Sequence, residues 1–134
     1  MVHYKGIEKV DVQALNAQRA LTEALWFTLQ RQGMKEMSSQ RVECLFVIRD
    51  ASTAASLLNA FPETAGWSHN VSKVADPPGA MSVKIISPLS HLSREALLEL
   101  VDVMMIAAHE SGATFDGFNL DLGDLQRRSR WRLW

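Results

Sequence analysis

Arg41-Val42-Glu43-Cys44-Leu45-Phe46-Val47-Ile48-Arg49 reads as a β-strand that is apolar on both sides. Side chains alternate across a strand, so Val42, Cys44, Phe46 and Ile48 share one face. Leu45 and Val47 share the other, between Glu43 and Arg49. A strand with two apolar faces belongs in the middle of a sheet, covered on one side and on at least part of the other.

Working outward, the run before it reads as a helix from about Val12 to Gln32. Leu21, Leu25 and Leu29 recur every four residues with Ala17, Ala20 and Ala24 beside them, and Gly33 sits where such a helix stops. Trp26 falls about 100° around from Leu25, at the edge of that apolar stripe. Residues 1–11 read as an irregular lead-in and residues 34–40 as a loop.

After the strand, Asp50 and Ser52 are competent caps for a short helix ending at Phe61 and stopped by Pro62. Trp67 to Val74 and Met81 to Ser87 alternate as strands around the turn signal Asp76-Pro77-Pro78-Gly79, which predicts an antiparallel hairpin. Ser93 caps a second long helix, about Arg94 to Glu110. Its buried stripe is Leu97, Leu100, Val101, Met104 and Ala108, and Gly112 ends it. Residues 115–122 make the last strand. The bend at Gly117 is braced by Asp116 and anchored by Phe115 and Phe118.

The order is one helix followed by β-α-β-β-α-β. That is the split order of a ferredoxin-like sandwich, an α+β fold with a four-stranded antiparallel sheet. The additional N-terminal helix lies on an edge or covers the patch left by Leu45 and Val47. A length of 134 residues fits one domain, residues 12–122, with a short tail after it.

Charge divides along the same boundary. Residues 1–122 carry 10 Lys/Arg against 14 Asp/Glu, whereas residues 123–134 carry Arg127, Arg128, Arg130 and Arg132 against Asp124. The body is therefore mildly acidic and does not read as a nucleic-acid surface. With one cysteine, the chain holds no disulfide framework, which points to a reducing, cytoplasmic setting. No apolar run is long enough to span a membrane.

The search for chemistry gives little. None of the four histidines stands at metal-ligand spacing with Cys44 or another histidine, so no metal or cofactor is expected. Cys44 shares its face with Val42, Phe46 and Ile48 and reads as a core thiol rather than a nucleophile. Asp116 and Asp121 face opposite sides of one strand. The tail stands out: Arg127, Arg128, Arg130 and Arg132 interleave with Trp131 and Trp134. That composition suits phosphate gripping, base stacking, a membrane surface or protein contact, and its plain alternative is a short solvated extension folded back on the acidic body.

Three segments resemble the bacterial B-type regulators of ribonuclease E activity, the RraB family. The helix ending at Gln32-Gly33 is similar to the family's opening helix. Arg41 to Phe46 and the following helix through Ala54, Ala55 and Phe61 resemble its first strand and helix. The run from Met104 to Leu122 holds Phe115-Asp116-Gly117-Phe118, similar to the family's Tyr-Asp-Gly-Trp signature. The resemblance covers roughly residues 12–122.

What it implies is a non-enzymatic inhibitor that binds a protein, ribonuclease E or a related nuclease, and slows RNA cleavage without chemistry of its own. Such a domain needs exposed aromatic anchors and charge, and Trp26, Glu43, Trp67 and Asp121 are the surface candidates. Phe115, Asp116, Gly117 and Phe118 then determine the fold rather than the contact. Two rival readings stand beside it: an RNA-binding module working through the tail alone, and a small-ligand domain with a cleft between sheet and helices. Self-association is a further expectation, with a second copy covering the first strand or the tail tryptophans.

Overall fold

The computed structural model of the chain describes residues 6–33, 39–73 and 79–120. The two-faced run forms strand β2, Val42–Ile48, and it is a central strand, hydrogen-bonded on both sides. One neighbour is β4, Met81–Ile86, and the other is β6, Thr114–Leu120, both antiparallel to it. Strand β3, Ser68–Lys73, pairs antiparallel with β4 at one edge, giving the order β3-β4-β2-β6. Two short segments not read as strands from the sequence, β1 (Ser39–Gln40) and β5 (Ser90–His91), pair with each other as a separate two-stranded ribbon.

Three helices lie on one face of the main sheet. They are α1 (Val12–Arg31), α2 (Ala51–Asn59) and α3 (Arg94–Ser111). Helix α3 is the middle one, packing against both α1 and α2. Its stripe of Leu97, Val101 and Met104 is fully buried against the sheet-facing set Val42, Cys44, Phe46 and Ile48. Each such side chain contributes roughly 1.5–3 kcal/mol by leaving water. Helix ends are closed locally. The Asp50 carboxylate accepts the Thr53 N–H at 2.7 Å, and Ser93 Oγ accepts the Ala96 N–H at 3.0 Å. The lead-in is more ordered than expected: Ile7–Lys9 form a 3₁₀ turn, and Val10 enters the core.

One expectation for α1 is corrected, and a second, left open between two places, is decided. Leu21 does not face the core; it is 64% exposed, and Ala17, Ala20 and Ala24 are exposed with it. The helix is instead rotated so that Thr22, Trp26 and Leu29 point inward. Trp26 is the largest apolar side chain on α1, and burying it together with Leu29 outweighs burying Leu21. The second concerns placement. Helix α1 takes the edge alternative: it packs against α3 and edge strand β6, on the side already buried, and does not cover Leu45 and Val47. Both faces of β2 are apolar, but among the described residues helices cover only one.

The last strand departs from plain alternation. In the pairing with β2, Phe115 lies opposite Phe46 and Gly117 opposite Leu45, which leaves Asp116 as an extra residue in a β-bulge. The bulge turns both Phe115 and Phe118 toward the core, with ring centroids 5.1 Å apart. Gly117 adopts φ 115, a backbone state that side chains disfavour, although an added Cβ would approach nothing closer than 4.0 Å. Backbone angle, not space, is what glycine supplies here. No helix among the described residues is long and apolar enough to cross a membrane.

Candidate functional site

Among the described residues no helix covers the other face of the sheet, and its surface follows from the alternation of four strands. Register places Glu43, Leu45 and Val47 of β2 beside Ile86, Lys84 and Ser82 of β4. Beyond them stand Ser68, Asn70 and Ser72 of β3. The result is an apolar centre, Leu45, Val47 and Ile86, in a polar surround. Glu43 is half-buried and engaged twice. Lys84 Nζ lies 3.6 Å from its carboxylate, and Asn119 Nδ2 donates to the same oxygen at 3.2 Å. It is a paired charge at the edge of the apolar centre, not a free one.

One end of the open face runs into a cleft of about 640 Å³ lined by Arg41, Glu63, Trp67, Ser68, His69 and Ile86. The cleft exists because the chain crosses itself tightly at Gly66. A Cβ there would come within 3.2 Å of Pro88, and φ is 95. Trp67 is half-buried, its ring tilted on Phe61 at a centroid distance of 4.8 Å. His69 Nε2 lies 2.6 Å from the Phe61 carbonyl oxygen, so that nitrogen carries the proton and donates. Its other nitrogen is 3.8 Å from Glu63. Arg41 donates to the Ser87 carbonyl at 3.4 Å. These groups offer hydrogen bonds, charge and an aromatic surface, which suits recognition.

Of the four surface candidates, Glu43 lies on the open face and Trp67 in the cleft at its end. Trp26 is not a surface residue: it is 4% exposed and packed in the core, because α1 is turned about its axis. Asp121 and the tail residues Arg127, Arg128, Arg130, Trp131, Arg132 and Trp134 lie outside the described residues. Asp116 is exposed, and its carboxylate makes no hydrogen bond among the described residues. The Phe115 and Phe118 rings anchor the bend, and the hydrogen bond beside it comes from Gln18 rather than Asp116: Gln18 Nε2 donates to the Phe115 carbonyl at 3.4 Å.

Cys44 is fully buried, and burial pushes its thiol pKa far above the usual cysteine range. A neutral, enclosed thiol is a core side chain. Among the described residues, no three His, Cys, Asp or Glu side chains gather closely enough to hold a metal ion.

The feature that sequence reasoning missed is a pair of interhelical charges. Arg19 of α1 donates to the buried Asp102 of α3 at 2.6 Å. Nearby, Arg94 pairs with Glu23, and these side chains line a pocket of about 320 Å³ between the two helices. The signal was present: Asp102 interrupts an apolar run, and a buried carboxylate demands a partner. No protein-family model matches the sequence, and no curated protein matches it either.

Proposed function

We propose that this chain is a cytoplasmic regulatory binding domain of the ribonuclease E inhibitor type, acting by protein contact and not by catalysis. The observation that carries the reading is the uncovered side of the sheet. Among the described residues, the sheet face away from the helices presents exposed Val47 with half-buried Leu45 and Ile86 beside it, inside a polar rim. An apolar centre in a polar rim is the anatomy of a protein-binding patch. The order β3-β4-β2-β6, with α2 and α3 crossing over the same face, fits a ferredoxin-like sandwich with α1 added beside it. Folds of that kind host many roles, and it is the patch rather than the fold that favours a protein partner.

The partner is ribonuclease E or a related nuclease, and nucleic acid enters only through the tail of residues 123–134. The direct test is cleavage of a labelled RNA by purified nuclease with and without the protein. Slower cleavage, saturating with added protein, is expected, and Leu45→Lys with Val47→Lys should relieve it while leaving the fold intact. Unchanged cleavage at saturating protein, together with no nuclease captured from the native host, rejects the reading.

A second reading has its own observation. The Arg41, Trp67 and His69 cleft has the room and the donors for a small aromatic anion. Mass spectrometry of the purified protein for a retained ligand separates the two. Titrating RNA against full-length and tail-deleted protein tests the tail.

A further inference from the structure

The outer side of α1 carries two large apolar side chains that are mostly in water. Leu21 is 64% exposed and Phe27 is 60% exposed, on a helix whose opposite side is buried. A surface helix ordinarily turns charge outward. Here the arc between Leu21 and Phe27 holds Ala17, Ala20, Ala24 and Thr28, with no acidic residue, and Arg31 stands only at its far end.

We infer that this side of α1 is a self-association surface, packing antiparallel on α1 of a second copy about a two-fold axis at Ala24. Leu21 and Phe27 lie three residues to either side of Ala24, and about 60° to either side of it around the helix. In an antiparallel pair each flank of the helix meets the same flank of its partner at inverted height, so a two-fold axis at Ala24 sets Leu21 on the partner's Thr28 and Phe27 on the partner's Ala20, large side chains on small ones. Ala24 itself permits the close approach, near 8 Å between axes, that small residues allow. The same axis lays Arg31 over the partner's Ala17, so no like charges meet. Closed two-fold pairs of this kind are the commonest oligomers.

The available area sets the strength. Leu21 and Phe27 each keep more than half of their surface in water. With the small residues between them, each copy offers roughly 500 Å², or about 1,000 Å² for the pair, at the lower limit of a specific interface. The dimer is accordingly weak and concentration-dependent. The inference goes beyond the proposed function and stands independently of it, because it uses α1 and not the open face of the sheet.

Sedimentation velocity on the full chain, from low to high micromolar concentration, tests it. The mass is expected to rise from one chain toward two. Leu21→Glu combined with Phe27→Glu should remain at one chain mass, with an unchanged far-UV circular dichroism spectrum. Phe27→Ala alone should weaken the pair by about tenfold. The native Cys44 is fully buried, so Ala24→Cys supplies an accessible thiol. Mild oxidation should link two copies of that variant and should not link Ser52→Cys on α2. A wild-type chain that stays monomeric throughout overturns the inference, as does a Leu21/Phe27 double variant that still pairs. If the chain is monomeric and the double variant instead loses nuclease inhibition, the surface belongs to another protein, and self-association is equally overturned.

Discussion

Val42, Cys44, Phe46 and Ile48 keep at most 1% of their surface in water, whereas Val47, between two of them, keeps 36%. The two sets differ by one step along a strand. Their chemistry is almost the same, and their surroundings are opposite. One faces α3 and its Leu97, Val101 and Met104; the other faces no helix among the described residues. The lesson is that apolar character on a strand face states a demand for cover, and the demand can be met by the chain's own helices or left for a partner. The first set holds the fold together, and the second is where a contact has most to gain.

The contrast breaks most visibly at Phe46. It is fully buried, its ring 5.3 Å from that of Phe115, and Phe46→Ala is expected to cost about 3–5 kcal/mol in denaturant unfolding. Val47→Ser, one residue away, should cost about 1 kcal/mol or less, because that side chain already stands in water. Equal losses at the two positions would mean that the open face is covered in solution.

Next in size is the helix layer. Asp102→Leu strands the Arg19 guanidinium in a half-enclosed site. A loss of about 2 kcal/mol is expected, below the range for fully buried pairs because Arg19 keeps some contact with water. Adding Arg19→Met should return most of it. A double variant as unstable as the single would show that the pair sets the position of α1 rather than neutralising a charge.

At the bulge, Gly117→Ala should cost about 1–2 kcal/mol through its positive φ alone, with no clash to relieve. Thermal unfolding of this variant beside Asp116→Ala sharpens the assignment. The aspartate change should be close to neutral, since its carboxylate is exposed.

The smallest effect is pH-dependent. The Thr53 N–H and then the Ser52 hydroxyl hold the Asp50 carboxyl below the usual carboxylate range. A folded-state pKa below the unfolded one gives stability that is complete above the unfolded value of about 3.9. It is lost as pH falls through that value and the lower folded one. Asp50→Asn keeps a capping oxygen without the proton. The wild type should lose slightly more stability than this variant between pH 5 and pH 3. Parallel curves would remove Asp50 from the account.

Much of the fold was readable before the structure. The extents of α1, β2, α3 and the hairpin strands agree with the sequence periods to within a residue or two at most ends. Asp50 and Ser93 were recognisable caps, and Cys44 was recognisable as core by the company on its face. The site was less legible. Glu43 and Trp67 reach the surface region expected of them, but Trp26 does not, and nothing in the local pattern announced that His69, Arg41 and Trp67 share a cleft. That cleft depends on Gly66 passing Pro88, a meeting of distant parts of the chain.

Alternation and helical spacing are local properties, so the sequence by itself determined which side chains travel together: Val42 with Phe46, Leu97 with Val101, Trp26 with Leu29. Spacing says nothing about which way a group points once elements pack. Only the tertiary structure decided that α1 turns Trp26 inward and Leu21 outward, and that Arg19 finds Asp102 across 83 residues of chain. It also decided that the bulge brings Phe115 and Phe118 to one side. Each outcome compares whole surfaces against one another, and the larger buried area with every buried charge paired is the arrangement that wins.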